Sequence, residues 1–395
     1  NTMQKKQERK QMLEGEKPSG CQYCWNIECM GKDYVSDRHI KSSSIHTPER
    51  IEEITSNPWD YNINPEYIEV NFSNECNFKC GYCHPKFSSR YHSEIKQHGP
   101  YKDVSAHSCD TDYFELFEEE SNPYLDAWWE WWPEVSKTLN ILRITGGEPL
   151  MHKSTWRLFE ELKQNPKPHL NIELNSNMGV KEKLIERLVT TLKELKSEGC
   201  INSFKLYTSI DTWGPRASYT RYGLDTGLWE RNLDYYLTNT GWPVTFMITF
   251  NLFAVTSFNR LLEKILEWRH KYNTNDQTKW QRIRFDTPYL RDPIQFDMNI
   301  LPKKKFMPYM KKHLQYMHEY QDDQDRTKFS SLEVEKFRRV VDYMESTNYD
   351  EKKLNQGRKT FYNFFNQYDT RRDIKLVEVF PELEEFYMDC STQVL

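Results

Sequence analysis

Glycine is scarce in this chain, at 14 of 395 residues, and no apolar run approaches the roughly 20 residues that cross a bilayer. The first absence argues against a low-complexity polymer and the second against a helical membrane protein. The start, Asn1 to Lys17, is polar and charged and has no apolar stretch of the kind that marks a signal peptide. An excess of one charge is missing too. A net charge of −5 gives no whole-chain electrostatic footprint for nucleic acid, although it is compatible with a local basic patch. A soluble, cytoplasmic protein without a membrane partner is expected. An initiating methionine is also lacking: the chain opens on Asn1, and sequence upstream of it is expected.

Aromatic residues and cysteines are what the chain does have. With 12 Trp, 24 Tyr and 21 Phe it can build large apolar contacts, and its length suits one large domain with appendages, or two domains. The nine cysteines are odd in number and clustered, which argues for metal or cluster ligation in a reducing compartment rather than for disulfides. Three of them stand as Cys76-Asn77-Phe78-Lys79-Cys80-Gly81-Tyr82-Cys83, after the alternating run Tyr67 to Phe72. On a loop leaving a strand, this spacing turns three thiolates toward one point and leaves one coordination position open. Three buried cysteines, or a zinc site completed by a distant ligand such as His84, would read the same way. A second stretch, Thr145-Gly146-Gly147-Glu148-Pro149, follows the apolar run Ile141 to Ile144.

Taken together, the C-x3-C-x2-C loop with an aromatic before its last cysteine and the later Gly-Gly-Glu-Pro stretch resemble the radical S-adenosylmethionine (SAM) superfamily. The resemblance spans about Tyr61 to Pro302. It implies that Cys76, Cys80 and Cys83 hold a [4Fe–4S] cluster whose fourth iron is chelated by SAM. One electron from that cluster would cleave SAM to a 5′-deoxyadenosyl radical, which takes a hydrogen atom from the substrate. An external electron donor of flavodoxin or ferredoxin type is implied as a partner.

The fold class expected is α/β, a partial (β/α)6 TIM-like barrel at 61–302, between an N-terminal cysteine-containing segment at 1–60 and a C-terminal helical region at 303–395. Six strands are read at Tyr67–Phe72, Ile141–Ile144, Leu170–Leu174, Phe204–Ile210, Val244–Phe250 and Ile283–Asp286, with amphipathic helices such as Lys181 to Glu198 between them. Helical crossovers make such strands parallel and place the chemistry at their C-terminal ends. Asp110 to Leu139 reads as a helix interrupted by prolines, its tryptophans serving as core, and Lys41 to Pro65 reads as a polar linker. After Pro302, helical patterns follow without strands.

Gly146, Gly147 and Glu148 offer carbonyl and carboxylate acceptors for the SAM ammonium, with the glycines permitting close backbone approach. The resemblance places Ser209 and Asp211, after the fourth strand, at the SAM ribose, and Asn177 in the corresponding position after the third. Arg221 suits the SAM carboxylate because guanidinium recognises carboxylate bidentately. Tyr82 resembles the aromatic beside adenine, and Leu290 lines its other side. Capping and surface pairing are the ordinary alternatives for these polar residues. No substrate acid or base is readable, although Arg284, Asp286 and Tyr289 are placed to point into the barrel. Cys21, Cys24 and Cys29, in C-x2-C-x4-C spacing, resemble the twitch or SPASM segments that hold a second iron–sulfur cluster, though here they precede the core. A zinc half-site or unligated cysteines are the alternatives. Cys109, Cys200 and Cys390 are further cysteines from which a ligand to that cluster could come. The substrate is expected to be a peptide, a protein or a small metabolite. The competing readings are radical modification of a nucleotide or nucleic acid, and a zinc-stapled binding protein.

Overall fold

A computed structural model describes residues 2–29, 36, 38–39, 47–104, 122–273 and 281–392. The chain divides into two compact units. The first takes in residues 1–69 and 123–142. Its helices span Met3–Leu13, Gln22–Glu28, Pro48–Ser56 and Pro123–Val135. Arg9 of the first helix donates to the Trp59 carbonyl at 2.6 Å, while Trp128 and Trp132 of the last one pack with ring centroids 5.5 Å apart. The expected linker at 41–65 therefore contains a helix, started by Thr47, which accepts from the Arg50 amide, and by Pro48 in the first turn. Of the helix expected from Asp110, residues 105–121 lie outside the described residues, and Pro123–Val135 is helical.

The second unit, residues 70–122 and 143–395, carries most of the strand residues and the C-terminal helices. Strands are β1 (Tyr67–Asn71), β2 (Lys79–Cys80), β3 (Ile141–Thr145), β4 (Lys167–Ser176), β5 (Ile201–Ser209), β6 (Arg221–Tyr222), β7 (Val244–Met247) and β8 (Ile283–Asp286). Six of them form one sheet in the order β1-β3-β4-β5-β7-β8, and β2 pairs with β6 in a separate antiparallel ribbon. The pairs β4–β5, β5–β7 and β7–β8 are parallel. From β3 to β8 the crossovers carry helices that return the chain to the next position, so chain order and sheet order agree. This is an α/β fold of the partial (β/α)6 barrel kind, followed by a helical C-terminal region.

The two faces of the sheet differ chemically. Ile172, Leu174, Phe204, Leu206, Phe246 and Phe285 alternate onto one face and are buried. Helix Glu182–Ser197 contributes Ile185, Leu188, Val189, Leu192 and Leu195 to this core, and it ends before Gly199, whose φ of +65° suits a residue without a side chain. The opposite face carries the intervening residues, among them Glu173, Asn175, Lys205, Tyr207, Arg284 and Asp286, all half-buried. Helices follow at Lys303–Glu319, Ser331–Ser346, Glu351–Arg372 and Glu384–Thr392. Among the described residues no helix is long and apolar enough to cross a membrane.

Candidate functional site

The three-cysteine loop is held from three directions. At its start, the Cys76 amide donates to the Ser89 hydroxyl at 3.1 Å, and Asn77 donates to the Gly179 carbonyl at 2.8 Å. In its middle, Lys79 and Cys80 pair with Tyr222 and Arg221, and the Gly81 amide donates to the Thr220 carbonyl. Phe78 is buried and seated on Gly179: a Cβ there would lie 2.2 Å from the Phe78 ring. Phe296 and, from the C-terminal region, Tyr368 close over Gly81, where a Cβ would meet them at 2.7 and 3.2 Å.

The Gly-Gly-Glu stretch packs on the same loop. The Gly147 amide donates to the Ser73 carbonyl at 3.0 Å and the Glu148 amide to that of Glu75 at 2.6 Å. Gly146 has φ +124°, and a Cβ on Gly146 or Gly147 would stand within 2.6 Å of a carbonyl oxygen of residues 73–75. The close approach that these glycines permit is thus to the chain leading into Cys76. The Glu148 carboxylate turns inward, accepting from the Ser176 hydroxyl (2.8 Å), the Asn177 amide (2.6 Å) and the Leu150 amide (3.2 Å). Burial raises its pKa to about 7 against the pull of those donors.

Asp211 and Arg221 meet each other. The guanidinium donates through Nε and Nη2 to the two Asp211 oxygens at 3.0 and 2.9 Å, and both residues are buried. Tyr82 donates to the same carboxylate at 2.6 Å, as does the Thr249 amide at 3.0 Å. Burial works against the Arg221 charge, but the Asp211 carboxylate outweighs it and holds the guanidinium protonated. Burial also pushes the Tyr82 phenol well above its ordinary value. Asn177 donates to Asn77 at 2.8 Å and points its amide at the Cys76 sulfur, 4.0 Å away. Ser209 ends β5, half-buried, and Leu290 donates its amide to the Phe250 carbonyl at 2.9 Å. Of the other residues expected to point inward, Tyr289 stacks on Tyr343 at 4.3 Å and Asp286 pairs with Lys336 at 3.2 Å.

The three cysteine thiols form a donor set that fits a metal or an iron–sulfur cluster. Burial raises the Cys76 thiol to about 12 and also lifts those of Cys80 and Cys83, and neighbouring cysteines add to the shift at Cys76 and Cys83. Three such thiols become thiolates only when a cation compensates them. Cys76 already receives the Phe78 amide at 3.4 Å, the kind of N–H···S contact that tunes iron–sulfur sites. Among the described residues, no three His, Cys, Asp or Glu side chains are grouped so as to hold one metal ion. His84, the distant zinc ligand considered above, accepts the Lys86 amide on Nδ1.

In the first unit, Cys21 and Cys24 flank one helical turn and are half-buried, while Cys29 is exposed with Lys17 Nζ 3.9 Å from its sulfur. The described residues supply no group around them able to hold a metal ion. Cys109 lies outside the described residues; Cys200 and Cys390 are buried.

The class defined by this geometry is an α/β sheet protein with a cysteine loop at the C-terminal strand ends. No protein-family model matches the chain, and no curated protein matches it. Among solved structures, native anSMEcpe with bound AdoMet aligns at 15% identity with a TM-score of 0.42, covering 67% of this chain and 63% of that one. Native anSMEcpe with bound AdoMet and Kp18Cys peptide aligns at 15% identity and TM-score 0.40, over the same shares of each chain. The chain thus spans less than two thirds of the length of these neighbours. Likenesses this distant assign no role to a residue.

Proposed function

We propose that this protein is a radical SAM enzyme, with Cys76, Cys80 and Cys83 as the ligands of a [4Fe–4S] cluster. The observation that carries the reading is the clamped three-cysteine loop, packed against a Gly-Gly-Glu turn at the ends of parallel strands. When bound, the cluster and SAM supply reductive cleavage of the sulfonium and a 5′-deoxyadenosyl radical that abstracts hydrogen from substrate. The chain's own residues bind and orient. Backbone carbonyls beside Gly146 and Gly147 accept from the SAM ammonium, and Ser209 and Asn177 supply polar contacts at the strand ends. The Asp211–Arg221–Tyr82 group fixes the loop geometry and supplies one cationic edge for a carboxylate. Phe296 and Tyr368 exclude water from the loop's outer side. The N-terminal cysteines extend the proposal to a second cluster, with Cys21 and Cys24 as ligands.

Anaerobic reconstitution followed by iron analysis and SAM-cleavage assays tests both parts. Cys80→Ala is expected to lose the barrel cluster and all reductive SAM cleavage; cleavage retained in that variant refutes the proposal. A Cys21→Ala/Cys24→Ala protein is expected to lose iron yet keep SAM cleavage, and unchanged iron removes the second cluster.

A further inference from the structure

Cys80 and Arg221 stand directly opposite each other across the β2–β6 ribbon. In an antiparallel pair, opposite residues send their side chains to the same face, with Cβ atoms about 5 Å apart. Lys79 and Tyr222 form the other pair and take the other face, where Lys79 Nζ lies 4.9 Å from the Tyr222 ring centroid. Arg221 is therefore set on the side to which the Cys80 thiol projects. Its guanidinium is held from behind. Nε and Nη2 both donate to the Asp211 carboxylate, which also accepts from the Tyr82 hydroxyl and the Thr249 amide. Arg221 and Asp211 are 5% and 1% exposed, so salt and water screen their charges little. Burial disfavours a thiolate at Cys80; the guanidinium favours it by charge and by a hydrogen bond, and Asp211 opposes it. The same guanidinium acts on Cys83, and the Glu148 carboxylate acts on Cys76.

A buried charge that favours a thiolate also favours the form of a cluster that carries one more electron. We propose that Arg221, oriented by Asp211, sets the reduction potential of the cluster held by Cys76, Cys80 and Cys83. Net charge, burial and hydrogen bonds to sulfur are the means by which a protein tunes such a centre, and this pair brings all three to the Cys80 side. Its two members act with opposite sign. The guanidinium stabilises the reduced cluster and raises the potential. The carboxylate stabilises the oxidised cluster and lowers the potential, while holding the guanidinium in place. This role is separate from the cationic edge offered to a carboxylate, since it is exerted with no SAM present. It rests on the cluster ligation proposed above.

The test is a mediated redox titration of the anaerobically reconstituted full chain, followed by EPR of the reduced cluster, without SAM. Iron per chain is measured first on every protein. Arg221→Gln should move the oxidised-to-reduced ratio at a fixed potential about tenfold toward oxidised, which is a downward shift of about 59 mV for a one-electron couple. Arg221→Lys keeps the charge and should recover most of that shift. Asp211→Asn should shift the potential upward, because the guanidinium loses its counter-charge and keeps a neutral partner. Lys271→Gln, which removes an exposed cation on the helix Phe258–Asn273, should leave the potential unchanged. A residue that merely supports the loop would move the Gln and Asn variants the same way, or neither. Shifts of one sign, shifts below twofold, or a Lys variant no closer to wild type than the Gln variant overturn the inference. If Arg221→Gln holds no cluster, an Asp211→Asn potential at or below that of wild type overturns it. Loss of the cluster in all three variants makes Arg221 a structural support and also overturns it. A wild type that forms no four-iron cluster defeats the proposed activity, and this inference with it. A cluster with SAM cleavage but unmoved potentials defeats this inference alone.

Discussion

Asp211 and Arg221 each suit a different part of an external ligand when considered singly, yet ten residues of chain fold so that they satisfy each other. A buried carboxylate and guanidinium are costly apart and tolerable as a bidentate pair, so the pairing is what permits both to sit under Tyr82. Glu148 presents the opposite case, a buried acid whose partners among the described residues are neutral donors. Its pKa in the folded chain is about 7, above the ordinary 4.5. Between those values the folded state keeps a proton that the unfolded state has released. Stability should therefore fall as pH rises through this window, by on the order of 3 kcal/mol in total. Urea denaturation of wild type and Glu148→Gln from pH 4.5 to 7.5 checks the sign. The variant's profile should be flatter, and parallel profiles would remove Glu148 as the titrating group.

At the scale of elements, the ribbon of β2 and β6 matters more than its two-residue strands suggest. It ties Cys80 to Arg221 and the cysteine loop to the segment after helix Pro215–Thr220. The other clamp is Phe78 on Gly179. A Cβ at 179 overlaps the ring and must displace it, an overpacking effect of about 1–3 kcal/mol. Gly179→Ala should lower the denaturation midpoint. It should also lower the iron retained after reconstitution, because the displaced ring lies between Cys76 and Cys80. A destabilised protein with full iron content would show that the loop geometry does not depend on this contact.

Within the second unit, the C-terminal helices are structural partners of the cysteine loop. Glu94 takes an ion pair from Lys79 at 2.5 Å and another from Arg372 at 3.0 Å, while Tyr101 donates to it at 2.7 Å. Arg372 lies over the Tyr368 ring at 3.6 Å, and Tyr368 donates to the Tyr219 carbonyl in the segment leading to β6. Removing one cation from this buried group leaves Glu94 partly uncompensated, at a cost on the order of 3 kcal/mol. Arg372→Met should lose that much in chemical denaturation and release iron faster to a chelator. Unchanged chelation kinetics would confine the tail to a stabilising role.

The local signals were legible from the residues alone. Alternation and amphipathic spacing located six strands and the helices between them, and cysteine spacing located the loop, because those patterns need only neighbours in the chain. The helix Pro48–Ser56 escaped because its polar composition hid the Thr47–Pro48 start signal. Tertiary structure decided the rest. The glycines of the Gly-Gly-Glu turn face residues 73–75, and that contact exists only once β1 and β3 end side by side. Tyr207, Thr245 and Arg284 lie far apart in sequence; they stand side by side because sheet register sets residues of neighbouring strands opposite one another. Sequence fixes which groups a strand presents and at what period, whereas their company depends on pairings between distant segments that no local pattern encodes.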